Sequence, residues 1–166
     1  MEKPTTGISV DGSCEGNPGR GEYKGIDIET GKILFQQKFI YTTNNIMEFC
    51  ALVHGIKWNI ENNNFCEIYS DSFTAISWVK NKSLKTELPK DERTVIMWKF
   101  IKNCLEFLIK YQHVIKVSKW DTKNWGENPA DFGKKQNNFI PAKKIKYWIQ
   151  CNPEKSINDL AKYFNL

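Results

Sequence analysis

The chain has 166 residues, 40% hydrophobic and 26% charged, which suits one globular domain with its own core and excludes a disordered or fibrous chain. Its net charge of +5 leans toward a polyanionic partner without requiring one. No apolar run is long enough to span a membrane and "MEKPTTG" has no apolar signal region, so a cytoplasmic protein with no membrane partner is expected.

Five cysteines (Cys14, Cys50, Cys66, Cys104 and Cys151) show no paired metal-type spacing and read as reduced thiols, mostly filling the core. In chain order, a short β-branched strand is predicted over about 7–11. Two strands follow over about 21–29 and 32–41, joined through the "ETGK" turn. Ile46, Phe49, Val53, Ile56 and Ile60 then recur at helical spacing, with Asn44 or Asn45 able to cap the start. "CEIYSD" reads as a strand ending at Asp71, and "SFTAISWVKN" as a short helix just behind it. A basic connector, 82–90, leads to a long helix over about 91–111 with Val95, Trp98, Ile101, Leu105 and Leu108 on one face. "VIKVS" is a fifth strand and "KWDTKNWGE" a loop. Asn128 and Pro129 suit the N-cap and first position of a helix over "PADFGKK". The result is an α/β chain, one five-stranded mixed sheet flanked by helices, with two further helical stretches in the tail.

The stretch "VDGSCEGNPGRGE" has two residue-level readings. Asp11, Ser13, Glu15, Gly16 and Glu22 fall at positions 1, 3, 5, 6 and 12 of a calcium loop. Against this, Pro18 sits where such a loop runs extended, and the flanks read as strands, not helices. The other reading is a strand-to-strand turn around Asn-Pro-Gly.

Four acids sit where elements can bring them together: Asp11 on the first strand, Glu48 on the first helix, Asp71 at the end of the fourth strand, and Asp131 in the first turn of a late helix. Each alone has an ordinary explanation: turn residue, solvated helix position, N-cap, helix-dipole partner. Together they would repel strongly unless cations neutralise them. Ligands that are all oxygen select hard divalent ions, magnesium or manganese, and two such ions suit phosphodiester cleavage.

"VDGSCEGNPG", "TTNNIMEFCAL", "YSDSFTAISWV" and "KWDTKNWGENPADFGKK", in this order over about residues 7–135, resemble the type 1 ribonucleases H. The likeness is closest to the compact bacterial branch that lacks a large basic handle. The resemblance implies a ribonuclease H-like fold and hydrolysis of the RNA strand of RNA/DNA hybrids with two divalent cations, leaving 3′-hydroxyl and 5′-phosphate ends. It implies that Asp11, Glu48, Asp71 and Asp131 are the catalytic and metal-holding acids. Cys14, Gly16 and Asn17 would turn over the RNA strand, with Asn44 and Asn45 as further minor-groove contacts reading 2′-hydroxyls. Thr43, Asn45 and Thr86 would grip a DNA phosphate and Trp78 would pack on a DNA sugar, or else be a buried helix tryptophan. Thr122 is carried over among the substrate contacts.

Two positions depart from the family. Phe73 stands where glutamine is common, so one minor-groove hydrogen bond is expected to be missing. The catalytic-loop histidine of the handle-bearing branch is absent; Asp121 falls at its place, and Glu127 in "WGE" matches the glutamate of the compact branch. Glu127 is therefore expected to assist product release. The rival readings are a non-catalytic hybrid-binding domain, a resolvase- or transposase-like nuclease of the same fold, and a module of a reverse transcriptase. A catalytic domain over 1–136, a helical extension over 137–166 packed on it, and a monomer are expected. In the extension, Lys143, Lys144 and Lys146 lie on a predicted helix, and Ser156 and Asp159 are placed as a capping box.

Overall fold

The computed structural model describes residues 2–132, 149–156, 158, 159 and 162. The chain divides into two compact units, Met1–Phe132 and Gly133–Leu166. The first holds β1 (Ile8–Gly16), β2 (Gly19–Asp27), β3 (Ile33–Thr42), α1 (Asn44–Glu61), β4 (Ile68–Ser70), α2 (Phe73–Asn81), α3 (Val95–Lys110), β5 (Val117–Lys119) and α4 (Thr122–Trp125). The sheet order is β3-β2-β1-β4-β5. β1 pairs antiparallel with β2 and β2 with β3, whereas β4 runs parallel to both β1 and β5. This is the expected mixed five-stranded sheet.

Several boundaries differ from the sequence reading: β5 lies at Val117–Lys119 and not over "VIKVS", β4 is shorter than "CEIYSD", and three further differences follow. β1 continues to Gly16 because its pairing with β2 persists through Cys14–Gly21 to Gly16–Gly19, so residues read as a loop form a hairpin. Gly19 permits the tight end: a Cβ there would lie 1.9 Å from the Glu15 carbonyl oxygen. The calcium-loop reading falls with it, since Glu22 stands opposite Ser13 in the ladder and accepts from Gln36 at 3.1 Å. α3 starts at Val95 because Asp91–Thr94 form a turn closed by the Thr94 hydroxyl, which donates to the Pro89 carbonyl at 2.6 Å. The expected loop 119–127 contains α4, capped by Asp121.

α1 is the central element. Thr43 caps it, its hydroxyl accepting from the Ile46 N–H at 3.2 Å. The Ile46, Met47, Phe49, Leu52, Val53 and Ile56 side chains are buried in one core with Ile8 and Val10 of β1, Ile68 of β4, and Ile101 and Leu108 of α3. Burial of that size is the main favourable term in folding.

The Lys143–Lys146 helix and the packing of the extension lie outside the described residues. Within the second unit, Ser156 and Asp159 do cap reciprocally: the Ser156 N–H donates to the Asp159 carboxylate at 2.9 Å, and the Asp159 N–H donates to the Ser156 hydroxyl at 3.2 Å. Among the described residues no helix is long and apolar enough to cross a membrane.

Candidate active site

The parallel pairing of β1 with β4 brings Asp11, on β1, beside Asp71, the residue after β4. α1 packs against β1 and carries Glu48 onto them. One carboxylate oxygen from each of Asp11, Glu48 and Asp71 lies within 4.8 Å of the others. The approach of helix to strand depends on Gly12, where a Cβ would lie 2.6 Å from the Glu48 backbone nitrogen.

Each acid is held in place. The Phe132 N–H donates to Asp11 Oδ2 at 3.2 Å, and the Ser70 hydroxyl donates to Glu48 Oε2 at 3.4 Å. Ser72, not Asp71, caps α2, accepting from the Ala75 N–H at 3.1 Å, so the Asp71 carboxylate is left to the cluster. Burial pushes the Glu48 carboxyl well above the usual range, and the Asp11 charge pushes it further. Burial raises Asp11 as well, opposed by its hydrogen bond with Glu48. Burial is thus the largest cause of the rise at both Glu48 and Asp11. Burial also raises Asp71, while the Lys119 ammonium lowers it and the Asp131 charge adds to the rise. Such a group is short of positive charge and offers only oxygen ligands, the donor set of a hard divalent cation.

Asp131 is exposed and stands outside the three-acid cluster, yet its charge is felt by both Asp11 and Asp71. Asn128 sets its place. The Asn128 side-chain amide donates to the Val10 carbonyl at 2.9 Å, and its Oδ1 accepts from the Ala130 N–H at 2.8 Å and from the Ser9 hydroxyl. The Asp131 N–H donates to the Asn128 carbonyl at 2.9 Å. The expected cap geometry is present as a turn; of the helix predicted over "PADFGKK", residues 129–132 are turn or irregular, so Asp131 follows a turn and not a helix start there, and residues 133–135 lie outside the described residues. Below this loop, Trp120 and Trp125 pack edge to face with centroids 5.1 Å apart, and Trp120 Nε1 donates to the Gly126 carbonyl at 2.9 Å.

Glu127 is exposed in the same loop. Asp121 is engaged within α4. It accepts from the Asn124 side chain at 2.6 Å and backbone at 3.2 Å, and that side-chain bond chiefly holds its carboxyl below the usual range. Asn17, Asn44 and Asn45 are exposed, and Asn17 Oδ1 accepts from the Asn44 N–H at 3.2 Å, joining the β1–β2 turn to the start of α1. Gly16 is exposed at φ +80°, whereas the Cys14 thiol is buried and donates to the Thr42 carbonyl at 3.3 Å. Cys14 as a whole is buried, opposite Gly21 in the β1–β2 ladder. Trp78 is half-buried, edge-on to Phe49 at 6.1 Å. The Thr86 hydroxyl accepts from the Leu88 N–H at 3.3 Å, and Thr122 is exposed at the start of α4. Sequence reasoning missed Lys119, whose register opposite Ser70 sets it beside Asp71. No local motif marks it.

The sequence profile of a family described as RNase H matches residues 4–139. The Ribonuclease H of Wolbachia sp. subsp. Drosophila simulans is 34% identical over 117 residues, 62% of this chain and 76% of that protein. The Ribonuclease H of Caldanaerobacter subterraneus subsp. tengcongensis is 30% identical over 164 residues, 88% of this chain and 94% of that protein. Among solved structures, RNase H1 from the halophilic archaeon Halobacterium salinarum aligns at 15% identity with a TM-score of 0.47, covering 69% of this chain and 84% of that one.

Proposed function

The chain belongs to the ribonuclease H family, a family of nucleases, and we propose that it cuts the RNA strand of RNA/DNA hybrids at the Asp11–Glu48–Asp71 cluster with Asp131 beside it. The observation that carries this reading is the convergence of three carboxylate oxygens within 4.8 Å at the junction of β1, β4 and α1. Buried like charges at that spacing are tolerable only with protons or cations among them. Magnesium or manganese, two ions when the site is full, would supply a readied water and neutralise the leaving oxygen, giving 3′-hydroxyl and 5′-phosphate ends.

The remaining roles belong to the chain itself. Asp11 and Glu48 are fixed by the Phe132 N–H and the Ser70 hydroxyl, so their oxygens need not reorganise on binding. Asp71 and Asp131 stand on the open side, where a phosphate can enter. Asn17, Asn44 and Asn45, all exposed, are assigned to the RNA strand together with Gly16 and Cys14. An amide both donates and accepts, which suits a 2′-hydroxyl in the wide minor groove of an A-like duplex. Thr43, Asn45 and Thr86 are assigned to a DNA phosphate, Trp78 to a DNA sugar, and Thr122 to the strand passing α4. Glu127, exposed and free of any capping duty like that of Asp121, is assigned to release of the cut 5′-phosphate. The active unit in this reading is a monomer.

Competition binding tests the reading. Replacing Asn17, Asn44 or Asn45 by alanine is expected to weaken hybrid binding by about 1–3 kcal/mol, the range for an interface hydrogen bond left unmade. DNA duplex should lose less. Equal losses for the two duplexes would mean that these amides do not read the 2′-hydroxyl.

A further inference from the structure

Phe73 opens α2 two residues after Asp71, and the residue is 75% exposed. The helix does not need it for packing, since α2 buries Ala75, Ile76 and Val79 instead. Leaving a phenyl ring in water gains nothing for folding. The ring is nonetheless placed: Lys119 Nζ lies 4.9 Å from its centroid, a cation–π contact. Lys119 is set in turn by its register opposite Ser70 and by donating to the Trp120 carbonyl at 3.2 Å. The same ammonium is close enough to Asp71 to lower its carboxyl. Ring, ammonium and acid therefore share one rim of the cluster.

We propose that Phe73, held by Lys119, is a stacking shelf for a nucleotide flanking the scissile phosphate. The inference rests on the nuclease reading above and adds a substrate-gripping residue to it. A phenyl ring has no donor or acceptor, so it cannot replace the glutamine's hydrogen bond that the family resemblance leads one to expect here. It offers instead a π-face, which any base or sugar can cover, so the grip is tolerant of sequence. The neighbouring ammonium favours a polyanion over an apolar protein segment as the occupant, because covering Phe73 with an apolar segment would also desolvate Lys119 beside it. A nucleic-acid strand meets both needs, with its base or sugar on the ring and its phosphate near the ammonium.

The test uses the full chain carrying Glu48→Gln, which blocks cleavage while keeping the rim intact, and hybrids with the fluorescent base 2-aminopurine at successive positions. Binding is expected to quench one position, or two adjacent ones. Phe73→Ala should abolish that quenching and raise Kd about tenfold, within the range measured for loss of base–aromatic stacking. Phe73→Trp should preserve both, which a mere spacer role would not require. In the otherwise unaltered enzyme Phe73→Ala should raise KM and leave kcat little changed, with an unchanged melting temperature. Equal affinity and quenching in Phe73→Ala would overturn the shelf, as would an equal defect in Phe73→Trp. Failure of the unaltered protein to cut hybrids, with the quenching intact, would overturn the nuclease reading and leave the shelf standing.

Discussion

The Asn128 side chain donates to the carbonyl of Val10 at 2.9 Å across 118 positions of sequence. This bond ties the loop that carries Glu127 and Asp131 to the strand that carries Asp11. Asn128 is buried, and so is Ser9, whose hydroxyl donates to the same side chain. Asn128→Ala would leave a buried acceptor, the Val10 carbonyl, and two buried donors, the Ser9 hydroxyl and the Ala130 N–H, without this partner. A loss of about 1–3 kcal/mol in stability is expected. Urea unfolding measures it. Cleavage should fall as well, because Asp131 would lose its seat. Unchanged stability and rate would show that the clasp does not position the acid.

Gly12 is the second such point. A Cβ there would lie 2.6 Å from the Glu48 nitrogen and 2.7 Å from the Met47 carbonyl carbon, both backbone atoms. Gly12→Ala must push α1 off β1. A shift of that kind, about 1 Å at a reacting group, costs about 10²-fold in rate. Single-turnover cleavage of a hybrid should show it even where circular dichroism shows a folded protein. A normal rate would mean that the Asp11–Glu48 spacing tolerates movement.

Much of this centre was legible in the sequence because its acids lie in short motifs with local cues: β-branched residues before Asp11, helical spacing around Glu48, a strand ending at Asp71. Asn128 was legible only as a cap. Its bond to Val10 depends on the β1–β4–β5 order, which no local pattern states. The extension of β1 to Gly16 was hidden for a related reason. Gly12 to Gly16 read as part of a loop, but a partner strand with glycine at 19 and 21 holds them in a ladder, and only Asn17 and Pro18 form the turn. Lys119 beside Asp71 is likewise a matter of register between two strands of three residues each.

Glu127→Gln and Asp121→Asn separate the two acids of the α4 loop. Glu127→Gln is expected to depress multiple-turnover rate far more than single-turnover cleavage, with hybrid binding nearly intact, because release of product then limits turnover. Asp121→Asn should change neither rate much, since its carboxylate is engaged by Asn124. Normal turnover in Glu127→Gln, or the larger defect in Asp121→Asn, would reverse the assignment.

His54 links stability to pH. Its ring stacks on Phe35 with centroids 4.1 Å apart, and its Nδ1 lies 2.8 Å from the Tyr23 hydroxyl. Burial, with Lys57 second and against the pull of Glu61, holds the imidazole down at about 4 instead of 6.5. As pH falls, the unfolded chain takes this proton first. The contribution of His54 is thus full above pH 6.5, declines between 6.5 and about 4, and is lost below. The slope is at most about 1.4 kcal/mol per pH unit, and less because the ring reaches solvent. Raised carboxyls at Asp11 and Glu48 give the opposite slope, so the comparison is with His54→Phe. Denaturant midpoints of the two proteins should diverge across this window, and parallel curves would refute the assignment.

The most direct measurement is strand-specific cleavage with magnesium, using labelled RNA/DNA hybrid, DNA duplex and RNA duplex, by the unaltered protein and by Asp71→Asn. Cleavage at the three-acid cluster predicts that the RNA strand of the hybrid alone is cut. Asp71→Asn should lose this activity by several orders of magnitude while still binding hybrid, because a neutral amide is a poor ligand for a hard cation. Near-normal turnover by Asp71→Asn, or equal cutting of DNA duplex, would contradict it.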